Sequence, residues 1–299
     1  MFENIRKEHA SLLKEISYSM HQFRQSTLSL VGFAIVLLFV FIAVFSPYLA
    51  PYDPAEIDLM GKLQSPSWEH LMGTDQYGRD MFSRVLYGTR YAFLEGFLII
   101  SISLSVGIAL GLLSGYRGGL VDEVIMRAMD ILLAFPYLVL AICIASAVMK
   151  PGGGFYFDPL ISAILAISIT TIPSYARLVR STVLSVKETE FVEAARADGA
   201  SSARIAFIHI LPNCLAPLIV QATMSIGTAV ISASAMSFLG LGAQPPTPEW
   251  GALITSGRNL LPDYWWCATF PGIAIFLFVM GFNLMGDGLR DILDPRLRR

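Results

Sequence analysis

The sequence is poor in charge. Asp, Glu, Lys and Arg make up 15% of its 299 residues, against about 25% in soluble domains. That argues against an ordinary soluble enzyme, and a hydrophobic content of 55% excludes disorder. The balance of 21 Lys+Arg against 23 Asp+Glu, a net charge of −2, lacks the basic surplus of a nucleic-acid binder. Cysteine is scarce: Cys143, Cys214 and Cys267 sit far apart, in or beside apolar stretches. They give neither a disulfide framework nor a metal-ligand spacing. The four histidines, His9, His21, His70 and His209, all fall outside the apolar runs, which leaves no Ser/His dyad inside a membrane. Asp287 follows Gly286, but Leu284 stands where the G-x-G-D of an intramembrane aspartyl protease needs glycine. No G-x-x-x-x-G-K-[ST] occurs, so the chain is expected to bind no ATP and carry no cofactor of its own.

What is abundant is apolar sequence in long runs. A bilayer core about 30 Å thick is crossed by roughly 20 apolar residues in helix. Leu28–Ser46 is such a run, bounded by Arg24 and Asp53 and followed by Pro47 rather than a small-residue cleavage site. Further runs cover about 92–114, 124–148, 159–176, 214–240 and 266–285. The expectation is an all-α membrane protein with six transmembrane helices. With the N-terminus inside, 15 Lys/Arg fall in inside segments. Six fall outside: Lys62, Arg79, Arg84, Arg90, Lys150 and Arg258. The bias puts both termini in the cytoplasm. The expected organisation is a cytoplasmic segment 1–27, a first span with its extracytoplasmic loop over 28–91, a five-helix core over 92–285, and a cytoplasmic tail 286–299.

Three connections are too long to be mere linkers: 47–91 and 241–265 outside, and 177–213 inside. Within the inside loop, residues 187–198 favour helix throughout, and Gly199 is a natural stop because glycine tolerates a positive φ. A second helical piece over Ser202–Leu211 leads into Pro212, which can open the next span. A short surface helix of small residues has a flat face that a partner's groove can accept. A connector lying on the membrane is the alternative.

Glu193-Ala194-Ala195, then Gly199 and Leu211-Pro212, resemble the EAA loop of ABC-importer membrane subunits, with His209 where the general pattern has Ile. Met72-Gly73-Thr74-Asp75-Gln76-Tyr77-Gly78-Arg79-Asp80-Met81-Phe82-Ser83-Arg84 resembles the G-T-D-x-x-G-R-D-x-x-S-R signature of peptide and nickel importer permeases. Gly240–Gly251 and Gly281–Asp291, closing with Leu293-Asp294-Pro295, are similar to further hallmarks of that family. From about residue 26 onward, the chain resembles the "C" permease of the dipeptide, oligopeptide and nickel ABC importers.

The resemblance implies a type I importer permease fold in a bacterial inner membrane. Glu193, Ala194, Ala195, Gly199, Leu211 and Pro212 would belong to a coupling helix docked on an ATPase subunit. It also implies four partners: a homologous second permease, two ATPase subunits carrying ATP and Mg, and an extracytoplasmic binding protein. ATP-driven closure of the ATPases would pass through residues 189–200 to spans three to five and switch the path between its two sides.

The spans carry their own signals. Gly107, Gly111 and Gly115 fall four apart, a small-residue face that reads as helix packing. The fifth span is rich in Ala, Ser and Gly, and Ser225, Ser232 and Ser234 are candidate linings of the translocation path. Asp75, Arg79, Asp80 and Arg84 are expected to pair among themselves in a structural loop. Arg127 and Asp130, three apart, are positioned to pair on one helix face, and Glu95 is expected at the outer interface. No deep isolated acid or base is evident, which disfavours an autonomous secondary transporter. A path without clustered His, Cys or acids favours peptide over metal as cargo. Glutathione and chelated nickel stay open.

Overall fold

A computed structural model describes residues 26–148 and 156–293. The expected N-terminal segment therefore lies outside the described residues up to position 25, as do Lys150 and the arginines beyond 293. The described residues are helical and contain no strand, only one isolated bridge between Thr74 and Asp80. Helix α1 spans Thr27–Leu49, α2 Met81–Arg117, α3 Gly119–Leu133, α4 Tyr137–Ala147, α5 Pro159–Lys187 and α6 Glu190–Ala197. They are followed by α7 over Ser202–Phe238, α8 Trp250–Gly257 and α9 Trp266–Leu293. Side-chain caps explain several of the starts. Ser26 accepts the Ser29 amide, Asp80 the Ser83 amide, and Asp158 the Leu160 amide just before Pro159 at the first helical position.

Among the described residues, five helices are long and apolar enough to cross a membrane. The expected third span is not one of them: α3 and α4 meet at a bend of 94°. Pro136 stands at the N-cap of α4, and proline disfavours a helical conformation in the residue before it and donates no amide hydrogen bond. The apolar run 124–148 thus passes a composition test while its backbone turns a corner. The sixth span exists only if the bent pair is taken as one.

Other boundaries moved in a consistent direction. Helix α2 starts eleven positions before the expected span, and its 37 residues measure about 55 Å. It is therefore much longer than the hydrocarbon core is thick, and its first turns can carry Asp80 and Arg84 outside it. Helix α5 runs on to Lys187, so the expected 37-residue inside loop shrinks to α6 and two short connections. Helix α9 continues to Leu293, taking up more than half of the expected tail.

The loops sort to two ends. Helices α2 and α5 are parallel: Gly107 abuts Tyr175, Gly111 abuts Ala176, and Gly115 abuts Val183. Lys187 Nζ donates to the Tyr116 carbonyl at 3.1 Å, so residues 117 and 187 share one end, with α6. At the other end, the Tyr52 amide donates to Ser83 Oγ at 3.2 Å and Trp266 Nε1 to the Thr74 carbonyl at 3.1 Å. This end gathers 50–80, 241–265 and the start of α9.

The glycine seam is a close helix contact. A Cβ on Gly111 would lie 2.5 Å from the Ala176 carbonyl oxygen, a backbone atom with no freedom to retreat. Ser103 Oγ crosses the same seam to the Ser168 carbonyl at 3.0 Å. The reading of these glycines as packing holds. Gly111→Leu is expected to destabilise the protein by about 1–3 kcal/mol, read as a lowered thermal midpoint in detergent. Gly272→Ala, at a site with nothing within 4 Å, is expected to leave that midpoint unchanged.

Candidate functional site

The segment from Glu190 to Pro212 is built from standard local parts. Helix α6 carries Glu190 and Glu193 in its first turn and Arg196 in its last, matching the helix dipole. It ends at Gly199 with φ +78°. The Gly199 amide donates to the Arg196 carbonyl at 3.1 Å and the Ala200 amide to the Ala195 carbonyl at 3.0 Å, the two bonds of a Schellman cap. Val192 is fully buried in the cluster that holds Ile205 and Ile210, and it anchors the helix from below. Glu193, Ala194 and Gly199 are exposed and Ala195 is half-buried, and the exposed face also carries Phe191 and Arg196. Nothing lies within 4 Å of a Cβ placed on Gly199.

The expected break before Pro212 is absent. Residues Ile205–Ile210 form a π-helical turn that runs straight into Leu211 and the rest of α7. Pro212 supplies no amide hydrogen to the preceding turn, and a widened turn accommodates it. The Asn213 side chain donates to the His209 carbonyl at 2.7 Å.

A cavity of about 330 Å³ lies between α5, α7 and the α3–α4 bend. The bend contributes Leu133, Phe135 and Tyr137, and α5 contributes Thr170, Thr171 and Ser174. Ser225 and Ser232 line it together with Gln221 and Thr228. No lining residue is charged. The residues flanking the Pro136 break, Phe135 and Tyr137, border this cavity. Ser234 lies elsewhere. It is buried, and its hydroxyl donates to Glu249 Oε1 at 3.0 Å. On a helix, 232 and 234 face different ways, which a reading by composition did not separate.

Glu249 belongs to a structure that the sequence hid. Its carboxylate accepts the Gly251 and Ala252 amides at 2.8 Å each and so caps α8, which was expected as plain loop. Trp250 is buried against Phe39 and Phe278, and its Nε1 donates to the Val85 carbonyl at 3.0 Å. Gly88 leaves room for that ring. Glu95 was expected at an interface. It lies about 21 Å along α2, 1% exposed, with Oε2 lacking a hydrogen-bond partner. The sequence did not show that this acid is buried inside the protein.

The expected cluster at the start of α2 forms, with altered pairing. Arg79 Nε donates to Asp75 Oδ2 at 2.7 Å, while Asp80 pairs with His70 at 3.0 Å. Arg84, 1% exposed, donates to the carbonyls of Pro54 at 2.6 Å and Pro246 at 3.3 Å. Its Nε sits 3.8 Å from Asp75. One guanidinium thus ties the 50–80 loop to the 241–249 loop. Farther along, Arg127 pairs with Glu123 at 3.1 Å and Asp130 with Arg177 at 2.6 Å, so the expected Arg127–Asp130 pair does not form.

Residues 107–299 match the family described as binding-protein-dependent transport system inner membrane component. The chain belongs to that family. Residues 15–66 also match the N-terminal transmembrane domain of oligopeptide transport permease C. The chain is 46% identical over 277 residues to a dipeptide transport system permease protein of Alkalihalophilus pseudofirmus, covering 93% of this chain and 88% of that one. It is 45% identical over 296 residues to a di/tripeptide transport system permease protein of Pseudomonas aeruginosa, covering 97% and 94%. A glutathione transport system permease protein of Pectobacterium atrosepticum is 44% identical over 264 residues, covering 88% and 85%. The fold is shared with the MetNI methionine ABC transporter in an inward-facing conformation, at TM-score 0.54 and 20% identity, covering 72% of this chain and 96% of that one. The chain is thus a multi-pass inner-membrane permease of an ABC transport system that works with a binding protein, and it has the type I importer fold.

Removing the shared guanidinium in Arg84→Met leaves the Pro54 and Pro246 carbonyls without their donor. This is expected to cost about 1–3 kcal/mol, read as a lowered thermal midpoint of the permease in detergent. Arg84→Lys is expected to recover little, because one ammonium cannot reproduce the forked contact to two carbonyls.

Proposed function

We propose that this permease imports short peptides, dipeptides first, handed over by an extracytoplasmic binding protein. The observation that carries the reading is the cavity beside the α3–α4 bend. Its walls are hydroxyl and amide groups with apolar patches and without charge, which suits a cargo of amide groups and varied side chains. The names of the relatives point the same way. A glutathione cargo is the second reading, favoured by the Pectobacterium atrosepticum relative.

In this reading the end bearing α6 faces the cytoplasm, together with both termini, as the Lys/Arg bias suggests. Helix α6 docks on one of two ATPase subunits, which carry ATP and Mg, and a homologous second permease completes the path. Closure of the ATPases draws α6 and, through its contact with the π-turn at 205–210, the inner end of α7. Residues Glu193, Ala194, Ala195 and Gly199 would form the docking face, while Leu211 and Pro212 follow the π-turn inside the helix that receives the movement. The cavity opens alternately to the two sides. Ser225 and Ser232 border it; Ser234 serves the α8 cap instead.

The direct test is uptake of a radiolabelled dipeptide by the complete complex in proteoliposomes, with binding protein and ATP. ATP-dependent accumulation is expected, and glutathione uptake in its place would select the second reading. Glu193→Arg and Gly199→Val are each expected to abolish uptake while leaving the permease in the membrane. The valine is strained at a positive φ, and the arginine reverses the charge of the docking face. Normal uptake by both variants would remove the coupling assignment. Cysteines at 225 and 232 should react with aqueous thiol reagents in at least one nucleotide state. A cysteine at 234 should stay inert in all of them.

A further inference from the structure

A cavity with neutral walls leaves a zwitterionic peptide with two unmatched charges, and burying unpaired charge is strongly unfavourable. Asp130 and Arg177 are two charges that lie within three residues of this lining along their helices. Asp130 precedes two lining residues, Leu132 and Leu133, on α3, and Arg177 follows the lining Ser174 by three residues on α5. Residues three apart share a helix face, so Arg177 sits one turn from the cavity, toward the end that carries α6. The two side chains meet at 2.6 Å, yet they stay 60% and 52% exposed.

The neighbouring pair shows what a structural bridge looks like in this fold. Arg180 grips Asp122 through two nitrogens at 2.6 Å each, and the Ser114 hydroxyl donates to the same carboxylate. The side chains of that pair are only 33% and 18% exposed. The Arg177–Asp130 pair has a single contact and no third partner among the described residues, and more than half of each side chain is exposed. An ion pair so exposed contributes little stability and opens at little cost.

We propose that Arg177 and Asp130 form a charge station for peptide termini at the α6 end of the cavity. Arg177 receives the α-carboxylate and Asp130 the α-ammonium, and their mutual bridge opens as the peptide arrives. A dipeptide spans about 7 Å when extended, so its two ends reach two long side chains that have parted by a few ångströms. When the peptide leaves, the bridge closes again and no bare charge remains beside the apolar lining. The inference rests on the peptide reading above and adds to it the residues that handle the cargo's charges.

The test is a double-mutant cycle on initial dipeptide uptake by the complete complex in proteoliposomes, with saturating binding protein. Arg177→Gln and Asp130→Asn are each expected to slow uptake about tenfold, as removal of a charged partner does. The double variant is expected to slow it by the product, roughly 100-fold, with ATP hydrolysis within twofold of the unaltered complex. A bridge that only holds α3 to α5 gives a different pattern: the double variant is no slower than the slower single one. That outcome, wild-type rates in either single variant, or loss of complex assembly in them would each overturn the proposal. If the unaltered complex imports no dipeptide at all, the peptide reading itself fails, and the station falls with it.

Discussion

The close approach of α2 and α5 is the constraint on which the rest of the molecule depends. In a bilayer there is no hydrophobic gain from bringing two apolar helices together, because lipid tails are as apolar as leucine. Close van der Waals contact and buried hydrogen bonds must do it. Three glycines one turn apart bring the α2 backbone within reach of Tyr175, Ala176 and Val183, and Ser103 hydrogen-bonds across the seam. With those two helices side by side and parallel, α3 is held beside α5 through Asp122 and Arg180. Helix α4 must then turn away at Pro136. The cavity is the space that this turn leaves between α5 and α7.

The two ends of the bundle are built on different principles. At the end bearing residues 50–80 and 241–265, irregular chain is tied down by buried polar groups. Asp75, Asp80, Arg84 and Glu249 are each at most 5% exposed, and each satisfies backbone or side-chain partners from more than one segment. At the α6 end, the connections are short and helical, and their polar groups face outward. Only Val192 fixes α6 to the bundle as a fully buried side chain. One end is fastened by desolvated hydrogen bonds, and the other presents the exposed side chains of a short helix, Phe191, Glu193, Ala194 and Arg196 among them.

Membrane residence, helical class and the glycine seam were legible in the sequence because each depends on a local pattern: run length, composition or a fixed spacing. The α6 segment was legible for the same reason, with its stop at Gly199. What could not be read depends on tertiary context. Pro136 was a visible signal inside an apolar run, but hydropathy does not distinguish a span from a corner. The start of α2 was misplaced because it is set by the Asp80 cap within a loop motif, eleven residues upstream of where apolarity begins. Helix α8 was missed because its eight residues are stabilised by a glutamate cap and by a tryptophan buried among distant phenylalanines. Arg127, Asp130 and Arg177 show the same limit: spacing along one helix proposed a partner, and a neighbouring helix supplied another.

The guanidinium of Arg84 gives the permease a fulcrum. It grips two loops at the head of a rod about 55 Å long, while the tail of that rod ends beside Lys187, a few residues from α6. A lever held at one extremity magnifies small angles at the other: a tilt of about 5° moves the far tip by roughly 5 Å over this length. Side chains near the grip would hardly shift, whereas those near Arg117 would travel about one helical turn.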